Sequence, residues 1–298
     1  MSSPHQRYAS PPPIEGEGQF GTSPTFGPAD AGGTRSPTNL VLISSDLIQF
    51  HVDEATLTDK SINSFKDLLP LPLESSSRSL FLADIPSAEL EVVLQAIYDV
   101  EINISPSIME IKTLIRAMDQ LITYGFPPST CIVPHCHLYQ YLLSCATIHP
   151  LGVYAAAAHH GIASLAVAAS SHTLALPDLS VLDDDFCTQM GAIYLLRLFQ
   201  LHIGRIETLK QLLSDDLGLH NPNPICGFEG QKVLKGMWSL AVAEIFPNLR
   251  ANTTTSTIRT AIMSHTADNK CIECANLRDT RLNRIISEWS MTPRNITE

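Results

Sequence analysis

Cys271-Ile272-Glu273-Cys274 is the pair of residues best spaced for chemistry in this chain. A Cys-x-x-Cys step lets two thiolates take adjacent corners of a metal tetrahedron, and zinc then needs two further ligands. Cys226 and His265 are the available partners. No second Cys-x-x-Cys and no His-x-x-x-His supplies the other half. The alternative is two reduced thiols on an ordinary loop or helix. Whether Cys226, Cys271 and Cys274 bind zinc stays open at this level, and no metal ligand is assigned.

Other reactive-looking groups carry less. CIVPHCHLY crowds Cys131, His135, Cys136 and His137 into one short run. Neighbouring side chains entering a helix rarely converge on one ion, so a turn at the solvent edge is expected. His159 and His160 would point about 100° apart on a helix, which lets at most one face a core. Asp183-Asp184-Asp185 lacks the spaced ligands and the glycine of a calcium loop, and suits a helix N-terminus instead.

The stretch FHVDEATLTDKSINSFKDLL, residues 50–69, surrounds His51 with Asp46, Asp53, Glu54, Asp59 and Asp67. The grouping resembles an acid/base site. Its position between a strand pattern and a helix pattern argues for a structural corner, with Asp53 or Thr58 accepting from the free amides of a helix start. GEGQFG, Gly16 to Gly21, matches GxGxxG, but no strand precedes it, no helix follows, and Glu17 would repel phosphate. GxSxG, HExxH and Walker patterns are absent. The expectation is a protein that is not an enzyme, with no catalytic residue, no cofactor and no assigned metal.

These groups sit in a chain of 298 residues, 44% hydrophobic and 16% charged, with ample material for real cores. A net charge of −11 argues against nucleic acid as a partner. The apolar run from Val153 is alanine-rich and carries His159, His160, Ser164 and Ser170, so a buried helix is expected rather than a membrane span. Seven cysteines and no secretory signal predict reduced thiols and an intracellular protein, in cytoplasm or nucleus.

Residues 1–38 hold seven prolines, six glycines and five serines, which predicts a disordered tail. From Asn39 the texture changes. NLVLISS and LIQFHV read as strands joined across Ser45-Asp46. DEATLTDKSINSFKDLL reads as helical, with Leu57, Ile62, Phe65, Leu68 and Leu69 on an apolar face, ended by Pro70 and Pro72. RSLFLADI is a third strand. PSAELEVVLQAIYDV follows as a helix with Leu90, Val93, Leu94 and Ile97 inward. MEIKTLIRAMDQLITYG carries a stripe of Ile111, Leu114, Ile115, Met118, Leu121 and Ile122 up to Gly125, and CHLYQYLLSC adds a further helix. In the largely helical second half, Ala192 to Leu213 sets Leu195, Phe199, Ile203, Ile206, Leu209 and Leu213 against a face that includes Arg197 and Arg205. NPNPICG is a break. A helix around Trp238, a TTTST loop and a helix near Leu282 to Trp289 close the chain.

The order strand, turn, strand, helix pair, strand, helix pair resembles a BTB/POZ domain. Leu40, Leu42, Ser44, Ser45, Asp46, Phe50, Val52, Ala55, Leu57, Phe65, Ile97 and Tyr98 fall at matching positions. HPLGVYAAAAHHGIASLAVAA and LRLFQLHIGRIETLKQLL are similar to the helical extension of fungal BTB proteins. The resemblance implies an α+β fold: a small BTB/POZ-like domain over 39–145, a helical extension over 146–215, and a helical region with Cys-x-x-Cys over 216–298. It implies a non-enzymatic interaction module that forms a homodimer and recruits protein partners. Some relatives are instead substrate-recruiting adaptors that bind a cullin through a hydrophobic-x-Glu element, for which Pro72-Leu73-Glu74 is the nearest candidate. The chain departs from the family at Asn39, where Asp is usual, at Asp53-Glu54, where His-Lys is usual, and at Leu47, which replaces a turn glycine. The charged corepressor pocket of BTB transcription factors is therefore not carried over.

Overall fold

The computed structural model describes residues 20–28, 38–72, 78–268 and 270–297. Its contacts divide into two compact units. One comprises the described residues up to His149 together with His160–Ile162; the other comprises Pro150–His159 and everything from Ala163 onward. The described residues form an α+β fold with a small four-stranded sheet.

The sheet grows from alternation. β1 is Gly21–Thr22, β2 is Leu40–Ile43 and β3 is Ile48–Val52. Leu40, Leu42, Phe50 and Val52 point to one face and are buried to within 2%. β2 and β3 pair antiparallel, Leu40 opposite Val52 and Leu42 opposite Phe50. The turn between them places Leu47 at φ +64°, a backbone region that suits glycine better than leucine.

β1 corrects the sequence reading. It pairs parallel with β3 at Gly21–Ile48 and Thr22–Gln49, inside the stretch expected to be tail. Phe26 is buried against Phe50 and Tyr98, ring centroids 6.4 and 5.8 Å apart, and its carbonyl accepts from the His51 amide at 2.7 Å. A single aromatic residue anchors this segment, which composition alone could not show. Residues 1–19 and 29–37, the rest of that expected tail, lie outside the described residues.

α1 spans Glu54–Lys60 and starts as expected. Asp53 caps it, accepting from the Thr56 amide at 2.8 Å and the Thr56 hydroxyl at 2.6 Å. Thr58 instead donates to the Glu54 carbonyl. The helix does not continue to Leu69. Ser61 and Asn63 take over: the Ser61 hydroxyl donates to the Tyr124 carbonyl at 2.8 Å and accepts from the Phe65 amide at 2.8 Å. Local side-chain bonds of this kind compete with helix. The single turn α2, Ser64–Asp67, carries left-handed φ values at Phe65 and Lys66. Phe65 is buried and stacked on Tyr124 at 4.5 Å, whereas Ile62, expected on the apolar face, is 79% exposed.

β4, Ser79–Phe81, pairs parallel with β2, giving the order β1-β3-β2-β4. Leu73 and Glu74 of the hydrophobic-x-Glu candidate lie outside the described residues. α3, Ser87–Tyr98, buries Leu90, Val93, Leu94 and Ile97 as its spacing predicts. α4, Ile111–Thr123, buries Leu114, Ala117, Met118 and Leu121, while Ile122 turns outward; Gly125 follows at φ +84°. α5, Pro128–Cys131, and α6, His137–Cys145, complete this unit's helices.

In the second unit the alanine-rich run forms two helices, α7 over Pro150–His159 and α8 over Ala163–Thr173. Gly161 at φ +66° separates them, where one continuous helix was expected. α9, Asp184–Ser214, is capped by Asp183 and interrupted at Gly191. Its buried face is Leu198, Leu201, His202, Arg205, Leu209 and Leu213, so Phe199 and Ile203 stand outward against expectation. α10, Phe228–Ile245, α11, Thr255–Thr266, and α12, Ile272–Met291, follow. The stretches 146–215 and 216–298 share one core, in which Leu209 and Leu213 meet Trp238, Ile258, Leu282 and Trp289. Among the described residues no helix is long and apolar enough to cross a membrane.

Candidate functional site

The acidic corner is bonded into the scaffold. Asp46 accepts from the Ser44 hydroxyl at 2.6 Å and from the amide and hydroxyl of Ser87 at 2.8 and 2.6 Å. It thereby supplies the cap that Pro86, the residue at the α3 N-terminus, cannot provide. Glu54, largely buried, pairs with Arg78 and accepts from the Leu71 amide at 2.6 Å, while its own amide donates to Asn39 Oδ1 at 2.8 Å. The two departures noted at Asn39 and Glu54 are thus in contact with one another. Asp84 accepts from the Tyr124 hydroxyl at 3.0 Å and pairs with Lys66.

The remaining sequence candidates sit apart from this corner. Cys136 caps α6, and His137 pairs with Asp99 at 3.1 Å. His159 ends α7 exposed, while the buried His160 imidazole lies 3.3 Å from Asp119. His265 turns to Glu244 at 2.5 Å rather than toward the cysteines.

The cysteines themselves converge, with a different histidine. Cys271 is the N-cap of α12 and Cys274 lies in its first turn, so the two sulphurs share that helix end. Cys226 arrives from the break between α9 and α10. There Asn223 and Cys226 exchange backbone hydrogen bonds of 3.0 and 3.1 Å, and Asn223 Oδ1 also accepts from the Cys226 amide at 2.7 Å. The Cα of Gly230 lies close beside: a Cβ there would stand 3.1 Å from Cys226 Sγ. His220 is held by Gln231, which exchanges two 3.0 Å hydrogen bonds with its backbone.

The four donor atoms lie within 4.8 Å of one another. Cys226 Sγ is 3.6 Å from Cys274 Sγ, and His220 Nε2 is 3.3 Å from Cys274 Sγ and 3.5 Å from Cys271 Sγ. The three cysteines are 6%, 5% and 1% exposed in chain order, and the His220 side chain 8%. On its other side, His220 Nδ1 lies 2.7 Å from the Asn221 carbonyl and 2.9 Å from a Glu273 carboxylate oxygen. That bond to a carbonyl places the proton on Nδ1 and turns the Nε2 lone pair toward the sulphurs. Backbone N–H groups of the α12 N-terminus, that of Cys274 foremost, lower the Cys271 thiol to about 7, whereas burial pushes Cys274 up to about 12. No disulfide forms among the described residues.

His220 was missed in the sequence because it is far along the chain from Cys271 and has no standard spacing to Cys226. The available signal was its company: LHNPNPIC places a histidine and a cysteine around two turn-forming Asn-Pro steps.

Compared with family models, curated proteins and solved structures, the chain matches none.

Proposed function

We propose that the chain is a non-enzymatic protein-interaction module, a BTB/POZ-like unit that self-associates and recruits partners, with the helical unit adding a second surface. The observation that carries this reading is exposed apolar surface at helical spacing. On α9, Ile193, Leu196 and Ile203 are 66%, 57% and 54% exposed, with Phe199 beside them; on α10, Val233 and Leu240 are 56% and 59% exposed, with Met237 between. Aliphatic stripes of this kind mark surfaces that partners cover. In the sheet unit, exposed Ile62 and Ile122 come from segments joined by hydrogen bonds from the Ile62 amide to the Gly125 carbonyl and from Asn63 to the Thr123 carbonyl.

The BTB/POZ likeness draws support from the element order: an antiparallel hairpin, a short helix pair, a strand parallel to the first hairpin strand, then α3 and α4. The apolar area offered to a twin subunit would come from the Leu57–Leu69 segment and the N-terminal strand; Leu57 and Phe65 are buried in their own chain, and Ile62 and Ile122 are exposed at that corner.

Light scattering of the purified chain at tens of micromolar, the usual range for weak association, tests the self-association. A mass of two or more chains is the expected result, and a monomer throughout removes the claim. Affinity purification from the native cells tests recruitment. Recovery of a cullin would redirect the reading to a substrate-recruiting ligase adaptor.

A further inference from the structure

We infer that His220, Cys226, Cys271 and Cys274 together hold one structural Zn2+ ion in tetrahedral Cys3His coordination. The distances carry the argument. Zinc bonds of about 2.3 Å to sulphur and about 2.05 Å to nitrogen give tetrahedral edges of about 3.75 Å between two sulphurs and about 3.55 Å between sulphur and nitrogen. The observed edges are 3.6 Å for Cys226–Cys274 and 3.3 and 3.5 Å for His220 to Cys274 and Cys271. The donors therefore stand around a gap of ion size.

Three features separate this from cysteines merely filling a core. The histidine is the wrong residue for an apolar contact, yet its side chain is buried with Nε2 aimed at two sulphurs and Nδ1 tied to a carbonyl. Metal-binding histidines are held by such a second bond. The supporting groups also suit an anionic centre. Three thiolates, a neutral imidazole and Zn2+ sum to one negative charge, which meets the positive end of α12 and the Asn223 amide, 3.8 Å from Cys271 Sγ. Finally, a disulfide does not account for the arrangement. A sulphur separation of 3.6 Å is far beyond the bonded value of about 2.05 Å, and one bridge would leave a third thiol and the imidazole beside it.

Starting from three protonated thiols and neutral His220, binding releases three S–H protons to solvent, forms three Zn–S bonds and adds one Zn–N bond. Four protein donors leave no coordination position open for water or substrate, so the ion is structural rather than catalytic. It ties the segment between α9 and α10 to the start of α12, closing one end of the core around Trp238 and Trp289. Soft thiolates with one imidazole favour zinc over magnesium or calcium.

The test is elemental analysis of the full chain, purified without chelator, with native mass spectrometry on the same sample. About one zinc per chain is expected, as for other structural sites. Less than about 0.1 per chain, with the thiols either reduced or bridged, overturns the assignment. Cys274→Ser is expected to lose the metal. Because that variant can also misfold, His220→Cys provides a second arm: it keeps four donors, retains the metal, and in the cobalt-substituted protein adds thiolate charge-transfer absorption. His265→Ala should retain full zinc. Loss of zinc from His265→Ala, or its retention in Cys274→Ser, would show that a different ligand set is at work.

Discussion

The guanidinium carbon of Arg205 lies 4.1 Å from the centroid of the Trp289 ring. The same side chain donates to the carbonyls of Ala251, Thr292 and Pro293 at 2.7, 2.8 and 2.7 Å. One buried cation on α9 thus fastens the α11 approach and the end of α12. Burial pushes its pKa down to about 10, which leaves it charged at neutral pH. A lysine can neither stack in this way nor serve three acceptors in a plane. Arg205→Lys should destabilise the helical unit by about 2 kcal/mol, and Arg205→Met by about 3 kcal/mol, because three carbonyls lose their donor. Both tryptophans, Trp238 and Trp289, belong to that unit, so denaturation followed by tryptophan fluorescence reads the change directly.

The sheet unit should weaken in acid. Asp46, Asp53 and Asp99 all have carboxyl pKa values below the ordinary one in the folded chain. Burial pushes Asp46 up, but its bonds from Ser44 and Ser87 outweigh that; Thr56 lowers Asp53, and the His137 amide lowers Asp99. A depressed folded value means the unfolded chain protonates first. The stabilisation is therefore present above about pH 4 and is lost as pH falls through the folded values. Hydrogen exchange of the first α3 amides, corrected for intrinsic rates, should lose protection as pH falls below about 4. Asp46→Asn should flatten that response at Ser87 and its neighbours.

Removing the cap itself has a local cost. Asp46→Ala takes away the acceptor for the Ser87 amide and should cost about 1 kcal/mol, the usual worth of a helix cap. Thermal unfolding followed by hydrogen exchange across α3 should show the loss there and leave α9 to α12 unchanged.

Gly125 should tolerate no side chain. It sits at φ +84°, and a Cβ would collide with Asn63 Oδ1 and Ser61 Oγ. Those two atoms hold the left-handed turn at Phe65. Gly125→Ala is expected to cost about 2–3 kcal/mol or more, through both backbone strain and displacement of the turn. Faster hydrogen exchange in α4 and at Phe65 is the readout, with Gly161→Ala, which meets only its own positive φ, as the milder comparison.

The exposed stripes give a prediction of opposite kind. Ile203→Glu and Leu240→Glu should leave far-UV circular dichroism and the unfolding midpoint within about 0.5 kcal/mol of the parent, as surface changes do. They should reduce recovery of partners in affinity purification. Unchanged recovery in both would remove these faces from the interaction surface.

Much of the fold was legible where one signal dominated. The alternation of Leu40, Leu42, Phe50 and Val52 and the stripe of Leu90, Val93, Leu94 and Ile97 were each visible in the sequence because a single period had no competitor. The cap of α1 was legible only as Asp53 or Thr58, and the structure gives the role to Asp53. Legibility ended where tertiary bonds decide. The α1 break depends on Ser61 reaching the Tyr124 carbonyl, a contact that no local pattern contains. On α9 the apolar residues populate two faces, Leu198–Leu201 and Leu196–Ile203, and periodicity alone does not say which is covered. At the thiol cluster, Cys226, Cys271 and Cys274 were singled out by residue type. His220 rather than His265 joined them because folding, not sequence distance, selects the fourth member.

The short pairing of Gly21 and Thr22 with β3 carries a practical consequence. A recombinant fragment trimmed to begin at Asn39, as composition invites, would not shed an idle leader. It would strip the outer partner from β3, leaving the Gln49 carbonyl and the His51 amide bare, and would empty the niche that Phe26 fills beside Phe50 and Tyr98. Uncovered sheet margins recruit strands from other molecules. Clumping of such a fragment would then report the trimming, and would be mistaken for the association of the intact chain.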